Sequence, residues 1–276
     1  MKARVLAPFG RRALTVSARE RHGPYIVLSA HDPDGPAPAA GQFYMLAAAE
    51  RWGGGEDERP FLPRAFSVMR ARPAAGGGLE LDFVLEVVGP GTARLAELRA
   101  GERLLLTGPL GRGFAEPRTG RRALLVGGGV GIAPLAIWAD ALEAPATILL
   151  GFRDGEHAAG AALLPGARVA TDDGSAGHHG LVTELLEDEL AADGHAEVYA
   201  CGPPAMLEAV RRICVEREVT AQLALESGMA CGYGACFGCV VPTRDGLIRL
   251  CVDGPVLDAA ILEAVAAAPA HAPVST

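Results

Sequence analysis

Short apolar runs separated by glycine and proline clusters fill the chain from its start to about Phe114. Glycine-rich loop signals stand between the runs at 53–55, 76–78 and 89–91. Strand-length runs with such punctuation predict a small barrel of antiparallel strands. The predicted strands are Tyr25 to Leu28, Phe43 to Leu46, Ala65 to Met69, Leu79 to Val88 and Arg103 to Thr107.

The pattern changes near Arg121, where apolar strands begin to alternate with helical stretches. Leu181 to Leu190 and Pro204 to Arg217 are the clearest helices, since their apolar residues recur on one face. Strand and helix in alternation predict a doubly wound parallel sheet. The predicted strands are Ala123 to Val126, Thr147 to Leu150, Arg168 to Ala170 and Glu197 to Cys201.

These patterns divide the chain into four parts. We expect a β-barrel domain at 1–117, an α/β nucleotide domain at 118–217 and a small loop and hairpin domain at 218–265. The remainder, 266–276, is rich in alanine and proline and is expected to be a frayed tail.

Composition narrows the class of protein. The 276 residues carry a net charge of -8 and a pI near 5.4, which argues against nucleic acid or an anionic membrane as a partner. Ala123 to Ala139 carries no charged residue, but five of its residues are glycine or proline, so a strand, turn and helix explain it better than a membrane span. The first ten residues lack the apolar core of a signal peptide, and a cytoplasmic, reducing setting is expected.

Four of the six cysteines stand close together near the C-terminus. Cys231, Cys236, Cys239 and Cys251 follow the spacing C-x4-C-x2-C-x11-C, which is the plant-type ligand pattern of a [2Fe-2S] cluster. Glycines within the loop allow its backbone to fold around the cluster and bring N–H groups towards the sulfurs. The fourth cysteine is expected on a hairpin, because two β-type runs meet at Asp245-Gly246.

Zinc and disulfides are the competing interpretations of these cysteines. A structural zinc site usually has two C-x2-C knuckles, whereas Cys236 and Cys239 form the only one in this loop. Disulfides are less favoured because the expected setting is reducing. The spacing therefore favours the iron–sulfur cluster, with zinc second.

A glycine-rich turn follows the first strand of the α/β segment. Gly129 and Gly131 match the first two glycines of the dinucleotide fingerprint, and such a turn lets a pyrophosphate approach a helix N-terminus. Pro134 stands where the third glycine is usual and is expected at the first helical position. Tight packing of strand on helix is the alternative use of such a turn.

A second strand end supports a nucleotide site. Cys201 and Gly202 end a parallel strand and precede a helix, and ligands of open α/β sheets bind at the carboxyl ends of strands. Cys201 is the candidate catalytic residue, beside a nicotinamide ring, although a buried strand-end residue is the alternative. Asp172 and Asp173 follow another strand and are candidates for the ribose, with an acidic, solvated turn as the alternative. Arg153 is a candidate for a 2′-phosphate, although Asp154 and Glu156 beside it disfavour that charge.

Electron transfer between a nicotinamide and an iron–sulfur cluster requires a flavin as well. A nicotinamide exchanges two electrons as hydride, whereas a [2Fe-2S] cluster takes one at a time, and a flavin converts between them. The run Arg64, Ala65, Phe66, Ser67 offers a guanidinium for a phosphate and a hydroxyl for a ring edge. Gly91 and Thr92 offer further donors to a phosphate, with a helix cap as the alternative use.

Taken together, these segments resemble the family of electron-transfer subunits of B-type dihydroorotate dehydrogenases, within the ferredoxin reductase superfamily. The resemblance covers nearly the whole chain and is most specific at 226–241 and 251–255. It implies FAD contacts at 64–67, at Gly91 and Thr92, and at Val84, Leu85 and Glu86. It also implies nucleotide contacts at Gly129, Gly131 and Gly202, and cluster ligation by the four cysteines. Two departures are Ala65, where the family has proline, and a loop insertion at Gly53 to Asp57.

The resemblance further implies FAD, a [2Fe-2S] cluster and NAD as cofactors. The implied partner is an FMN-containing catalytic subunit, assembled as a heterotetramer, that oxidises dihydroorotate to orotate in pyrimidine biosynthesis. Tyr233 and Phe237 are candidates for its docking surface or for packing within the chain. An NAD(P)H-linked ferredoxin reductase or sulfide dehydrogenase subunit stays open as an alternative, as does a structural zinc protein. The choice between NAD and NADP and the direction of electron flow also stay open.

Overall fold

The structure is a computed structural model and describes residues 10–54 and 59–265. The expected tail at 266–276, the first nine residues and most of the predicted insertion at Gly53 to Asp57 lie outside the described residues. Within residues 10–54 and 59–265, no helix is both long and apolar enough to cross a membrane.

Six antiparallel strands of the described chain close into a barrel, which confirms the predicted barrel. Strand β1 was not predicted, because only Leu14 and Val16 of its eleven residues point into the core and charged residues surround them. The barrel order is β1-β2-β5-β4-β3-β6. The strands are β1 (Arg12–His22), β2 (Tyr25–Asp32), β3 (Phe43–Ala48), β4 (Arg64–Pro73), β5 (Leu79–Glu86) and β6 (Arg103–Leu110), with helix α1 (Pro90–Ala96) after β5.

A seven-stranded sheet of order β10-β9-β8-β7-β11-β12-β15 follows, parallel except for its last strand. Helices pack against it, as the alternation of patterns predicted. The strands are β7 (Arg122–Gly128), β8 (Thr147–Phe152), β9 (Arg168–Thr171), β10 (His178–His179), β11 (Ala196–Cys201), β12 (Ala221–Ala224) and β15 (Val256–Asp258). The helices are α2 (Ile132–Ala141), α3 (Gly155–Ala158), α4 (Val182–Ala192) and α5 (Pro204–Glu216).

The segment 218–265 contributes to two structures. Strands β12 and β15 belong to the large sheet, although the predicted boundary after residue 217 assigned them to the cluster domain. Between them, β13 (Val240–Thr243) and β14 (Gly246–Arg249) form the predicted hairpin, and α6 (Leu250–Asp253) follows. The division into domains stays a prediction. We propose that the cluster segment starts after β12.

Two local expectations were wrong. Cys251 lies in α6 and not on a strand, because the hairpin ends at Arg249 and the chain turns helical. Pro134 is the third residue of α2, which begins at Ile132, since a short 3₁₀ turn at 129–131 leads into the helix. A proline is tolerated there because N–H groups of the first helical turn have no helical partner.

The segment 254–258 ties the barrel to the sheet. Arg112, just beyond β6, donates its backbone N–H to the carbonyl of Gly254 at 2.5 Å. Leu225, at the end of β12, donates to the carbonyl of Pro255 at 3.0 Å. One short segment thus holds the end of the barrel and the edge of the sheet together.

An aromatic cluster strengthens this junction. Phe114 packs against Trp138 and Tyr199, with ring centroids 5.7 and 5.6 Å away, and all three rings are buried. The Tyr199 hydroxyl donates to the carbonyl of Ala115 at 3.1 Å. The cluster therefore joins the linker between the barrel and the sheet to helix α2 and strand β11.

We predict that Phe114→Ala destabilises the protein by about 3–5 kcal/mol, because it leaves a cavity between the barrel and the sheet. Thermal unfolding followed by circular dichroism measures the effect as a lower midpoint. Phe61→Ala is the control, since Phe61 is 72% exposed. Equal midpoints for the two variants would show that the aromatic cluster does not stabilise the junction.

Candidate functional site

A cavity of about 550 Å³ lies between the barrel and the sheet and brings most of the predicted flavin residues together. Leu85 and Gly91 are the exceptions, since neither lines the cavity, and the Leu85 side chain is fully buried in the barrel core. The cavity is closed on the other side by residues of the sheet and of the segment after β12. Its predicted lining residues are Arg64, Ala65, Phe66, Ser67, Val84, Glu86, Thr92 and Cys201.

One corner of this cavity suits a phosphate. A Cβ added to Gly91 would stand 2.5 Å from Nε of Arg64, so the guanidinium lies against the first turn of α1. Thr92 accepts hydrogen bonds from the N–H groups of Val88 and Gly89, at 2.8 and 3.1 Å, and so folds the loop before the helix. The absence of a side chain at Gly91 leaves room for the guanidinium of Arg64, which lines the cavity and is a suitable group for binding a phosphate.

The opposite wall contains polar groups that the sequence did not single out. The Ser227 hydroxyl lines the cavity and is buried without a hydrogen-bond partner. An unsatisfied buried hydroxyl is costly, and a polar ring edge in the cavity would satisfy it. The residues present therefore fit a flavin.

Burial raises the pKa of two acidic groups in this wall. Burial, and next the nearby charge of Glu226, raise the pKa of the Cys201 thiol well above its usual value. Glu226 faces the cavity, where solvent reaches it but protein surrounds it, and this desolvation raises the pKa of its carboxyl group. Cys201 is thus a neutral thiol at the floor of the cavity, beside Pro134.

A second cavity, of about 350 Å³, lies at the carboxyl ends of β7, β8, β9 and β11, where ligands of open α/β sheets bind. Gly129 lines it with a φ of 55°, a conformation that favours glycine. A Cβ on Gly131 would overlap the carbonyl oxygen of Cys201. One on Gly202 would stand 2.6 Å from Cε of Met206. Glycine at these positions lets the turn and the strand end approach closely enough to form the cavity.

Charged residues from both domains face this second cavity. The Arg153 guanidinium lies 3.7 Å from Glu86 and 3.4 Å from Asp154, so its charge is largely offset. Asp154 also accepts the backbone N–H of His157 at 2.9 Å and caps α3. Asp172, a predicted ribose contact, also lines the cavity. Asp173 instead accepts hydrogen bonds from the N–H and hydroxyl groups of Ser175. This charge balance agrees with the expectation that Asp154 disfavours Arg153 as a 2′-phosphate ligand.

Sequence reasoning missed the barrel's contribution to this cavity. Tyr25 and His157 line it with their rings in edge-to-face contact at 5.9 Å. Glu86 lines both this cavity and the flavin cavity. No local pattern signals these roles, because Tyr25 and Glu86 only begin and end strands of the barrel.

The four predicted cluster ligands lie in one loop and in α6. Cys239 and Cys251 are buried with their sulfurs 3.2 Å apart, and Cys231 and Cys236 interact closely at the outer side. Within residues 10–54 and 59–265, no three such side chains converge as ligands of a single metal ion. Two sulfur pairs are what the two irons of a [2Fe-2S] cluster bind, so the residues fit that group.

Backbone N–H groups of the loop point at the sulfurs. Ala235 donates to Sγ of Cys231 at 3.3 Å, and Gly238 donates to Sγ of Cys236 at 3.5 Å. Desolvation opposes ionisation of Cys231, but backbone donors, that of Cys236 foremost, outweigh it and lower its pKa to about 6. Burial, followed by the hydrogen bond with Cys239, raises the pKa of Cys251 to about 12. The lowered pKa of Cys231 favours its thiolate form, which is the form that binds iron.

The cluster loop packs against the barrel. A Cβ on Gly232 would stand 2.5 Å from Cγ of Met45 and 3.0 Å from Leu110, so the loop touches strands β3 and β6. A third cavity, of about 310 Å³, lies between Cys231 and these strands. Leu62 and Pro63 line this cavity and also the flavin cavity. One short segment thus separates the cluster loop from the flavin cavity.

The barrel, sheet and cysteine loop define a flavin reductase of the ferredoxin reductase type with an added iron–sulfur segment. The family described as the iron-sulfur cluster binding domain of dihydroorotate dehydrogenase B matches residues 226–263. A dihydroorotate dehydrogenase B (NAD(+)) electron transfer subunit of Caldanaerobacter subterraneus is 38% identical over 80% of this chain and 86% of its own. The corresponding subunit of Clostridium acetobutylicum is 34% identical over 78% and 82%.

Solved structures agree with the fold. The structure of an NADH-dependent reduced ferredoxin-NADP oxidoreductase superposes with a TM-score of 0.76 and 27% identity, over 93% of this chain and 91% of that one. The chain belongs to the family of dihydroorotate dehydrogenase B (NAD(+)) electron transfer subunits. Membership confirms the resemblance, the fold class and the expectation of FAD, [2Fe-2S] and NAD as cofactors. It favours this interpretation over a structural zinc protein and over the reductase subunits of other complexes.

We predict that Gly131→Ala lowers the affinity for NADH at least tenfold, because the added methyl group overlaps the end of β11. Calorimetric titration of the flavin-loaded protein measures the affinity, and the flavin absorption spectrum should not change. Gly76→Ala is the control, since a Cβ there meets nothing within 4 Å. An unchanged affinity would remove this turn from the nucleotide site.

Proposed function

We propose that the chain is the electron-transfer subunit of an NAD-dependent dihydroorotate dehydrogenase. It passes electrons from the FMN of a catalytic partner through its own [2Fe-2S] cluster and FAD to NAD+. The family supports this function. The single structural observation that carries it is that each of the three sites shares lining residues with the next. Leu62 and Pro63 adjoin both the cluster loop and the flavin cavity, and Glu86 adjoins both the flavin and nucleotide cavities.

Bound FAD would supply the conversion between a hydride pair and single electrons. The chain's own residues bind and orient the groups. Arg64, which packs against Gly91, would hold a phosphate, and Ser67 and Ser227 would offer hydroxyls to the ring system. The neutral Cys201 thiol and Pro134 line the flavin cavity, where they would offer uncharged groups to a nicotinamide ring beside the flavin.

Glu226 contributes through its protonation state. Desolvation raises the pKa of its carboxyl group, which favours the protonated form. In its protonated form, Glu226 carries a proton at a carboxyl oxygen of the cavity wall instead of a negative charge. We infer that this reduces repulsion when the site gains electrons.

The partner docks at the cluster loop in this proposal. Tyr233 and Phe237 are 50% and 62% exposed, and Leu247 at the hairpin turn is 73% exposed. Exposed large apolar groups beside a redox site are typical of a protein interface. Packing against the chain's own domains stays the alternative for these two rings, since the Phe237 ring also lies 5.0 Å from the guanidinium carbon of Arg249. A heterotetramer stays a proposal, as does a cytoplasmic location, where reduced thiols are normal.

The pair of subunits tests the function directly. We expect this chain and an FMN-containing catalytic subunit to co-purify and to reduce NAD+ with dihydroorotate, while this chain alone does not oxidise dihydroorotate. Cys239→Ser should abolish transfer from the partner while sparing NADH oxidation by artificial acceptors at the flavin. Cys214→Ala is the control, because Cys214 is buried on α5 away from the cavities. Dihydroorotate oxidation by this chain alone, or equal loss of both activities in Cys239→Ser, would contradict the proposal.

The docking surface gives a separate prediction. Phe237→Glu should weaken assembly with the catalytic subunit at least tenfold, because it places a charge in an apolar interface. Surface plasmon resonance measures the affinity, and the iron content of the variant is checked first. Val215→Glu is the matched control, since Val215 is exposed to 46% on α5. Equal affinities for the two variants would place the partner on another surface.

A further inference from the structure

Arg249 contacts the cluster loop both before and after Cys236. It is the last residue of β14, and its Nη1 donates to the carbonyl of Gly234 at 2.8 Å. Its guanidinium carbon lies 5.0 Å from the centre of the Phe237 ring. Gly234 stands between the first and second cysteines, and Phe237 between the second and third. One side chain therefore contacts the loop on either side of Cys236.

The loop conformation needs such support. Phe237 has a φ of 57°, which is unfavourable for a residue with a side chain and persists only where its surroundings hold it. Gly234 has a φ of 94°, and a Cβ there would stand 2.6 Å from Val252. The loop is thus held against α6 and the end of β14. The contacts of Arg249 span this part of the loop.

The guanidinium also brings a positive charge to the cysteines. In the part of the chain that the structure describes, no carboxylate forms an ion pair with it, and Asp253 instead accepts the backbone N–H of Arg249 at 3.3 Å. Its side chain is half-buried, so solvent screens it incompletely. A cluster bound by four thiolates is negative and becomes more so on reduction, and nearby charge is one determinant of its potential.

We propose that Arg249 is a positioning residue for the cluster that also raises its reduction potential. Its hydrogen bond and ring contact keep the cysteine loop in the binding conformation, and its charge favours the reduced form. This inference rests on the proposed function, since it assumes a [2Fe-2S] cluster at this loop. It concerns how easily the cluster accepts an electron from the partner, not whether transfer occurs.

Two substitutions separate the charge from the hydrogen bond. Arg249→Gln removes the charge and keeps a donor for Gly234, whereas Arg249→Lys keeps the charge and loses the planar contact with Phe237. Arg244→Gln is the matched control, because Arg244 is exposed at the turn of the same hairpin and the change in net charge is equal. Iron and sulfide content, the electron paramagnetic resonance spectrum and a redox titration of each purified chain are measured.

We expect Arg249→Gln to disfavour reduction at least tenfold, which is about 59 mV for one electron, with Arg249→Lys and Arg244→Gln close to the parent protein. Lower iron and sulfide content in either Arg249 variant, but not in Arg244→Gln, would support the positioning role. Unchanged cluster content and potential in both Arg249 variants would overturn it, as would equal shifts in both. A parent protein that binds no iron–sulfur cluster would instead contradict the proposed function.

Discussion

Backbone pairing of the segment 254–258 determines where the three sites lie relative to one another. Gly254 and Pro255 accept hydrogen bonds from the end of the barrel and from the end of β12, and β15 then joins the edge of the sheet. Cys251 precedes this segment by three residues, and Pro255 lines the flavin cavity. The same few residues thus place a cluster ligand, close the flavin cavity and join the two domains.

Burial then assigns different chemistry to similar side chains. Cys201 and Cys251 are both buried thiols with raised pKa values, whereas backbone N–H groups lower the pKa of the half-buried Cys231. Glu226 follows the same rule as Cys201, since confinement in the cavity raises its pKa. Burial therefore favours the protonated forms of Cys201 and Glu226 in the cavity between the domains, while backbone N–H groups favour the thiolate at the outer side of the cluster loop. This arrangement suits hydride exchange within the protein and single-electron exchange near its surface.

Local patterns predicted those features that depend on neighbours along the chain. The cysteine spacing and the glycine turn were readable because a cluster loop and a pyrophosphate turn each need particular residues within a short segment. The strands and helices followed from apolar periodicity, except β1, whose charged outward residues hide its two core positions. The placement of Cys251 in α6 was missed, because a four-residue helix after a hairpin leaves no periodic signal.

The sequence by itself determined the barrel followed by a sheet and, through its resemblance, the family, and it predicted the cluster ligands and the nucleotide turn. Only the tertiary structure decided how these parts meet. It brought Tyr25 and Glu86 from the barrel to the nucleotide cavity, left the Ser227 hydroxyl without a partner, and laid Arg249 across the cysteine loop. Residues far apart along the chain form these contacts. Their partners depend on domain packing, which no local pattern encodes.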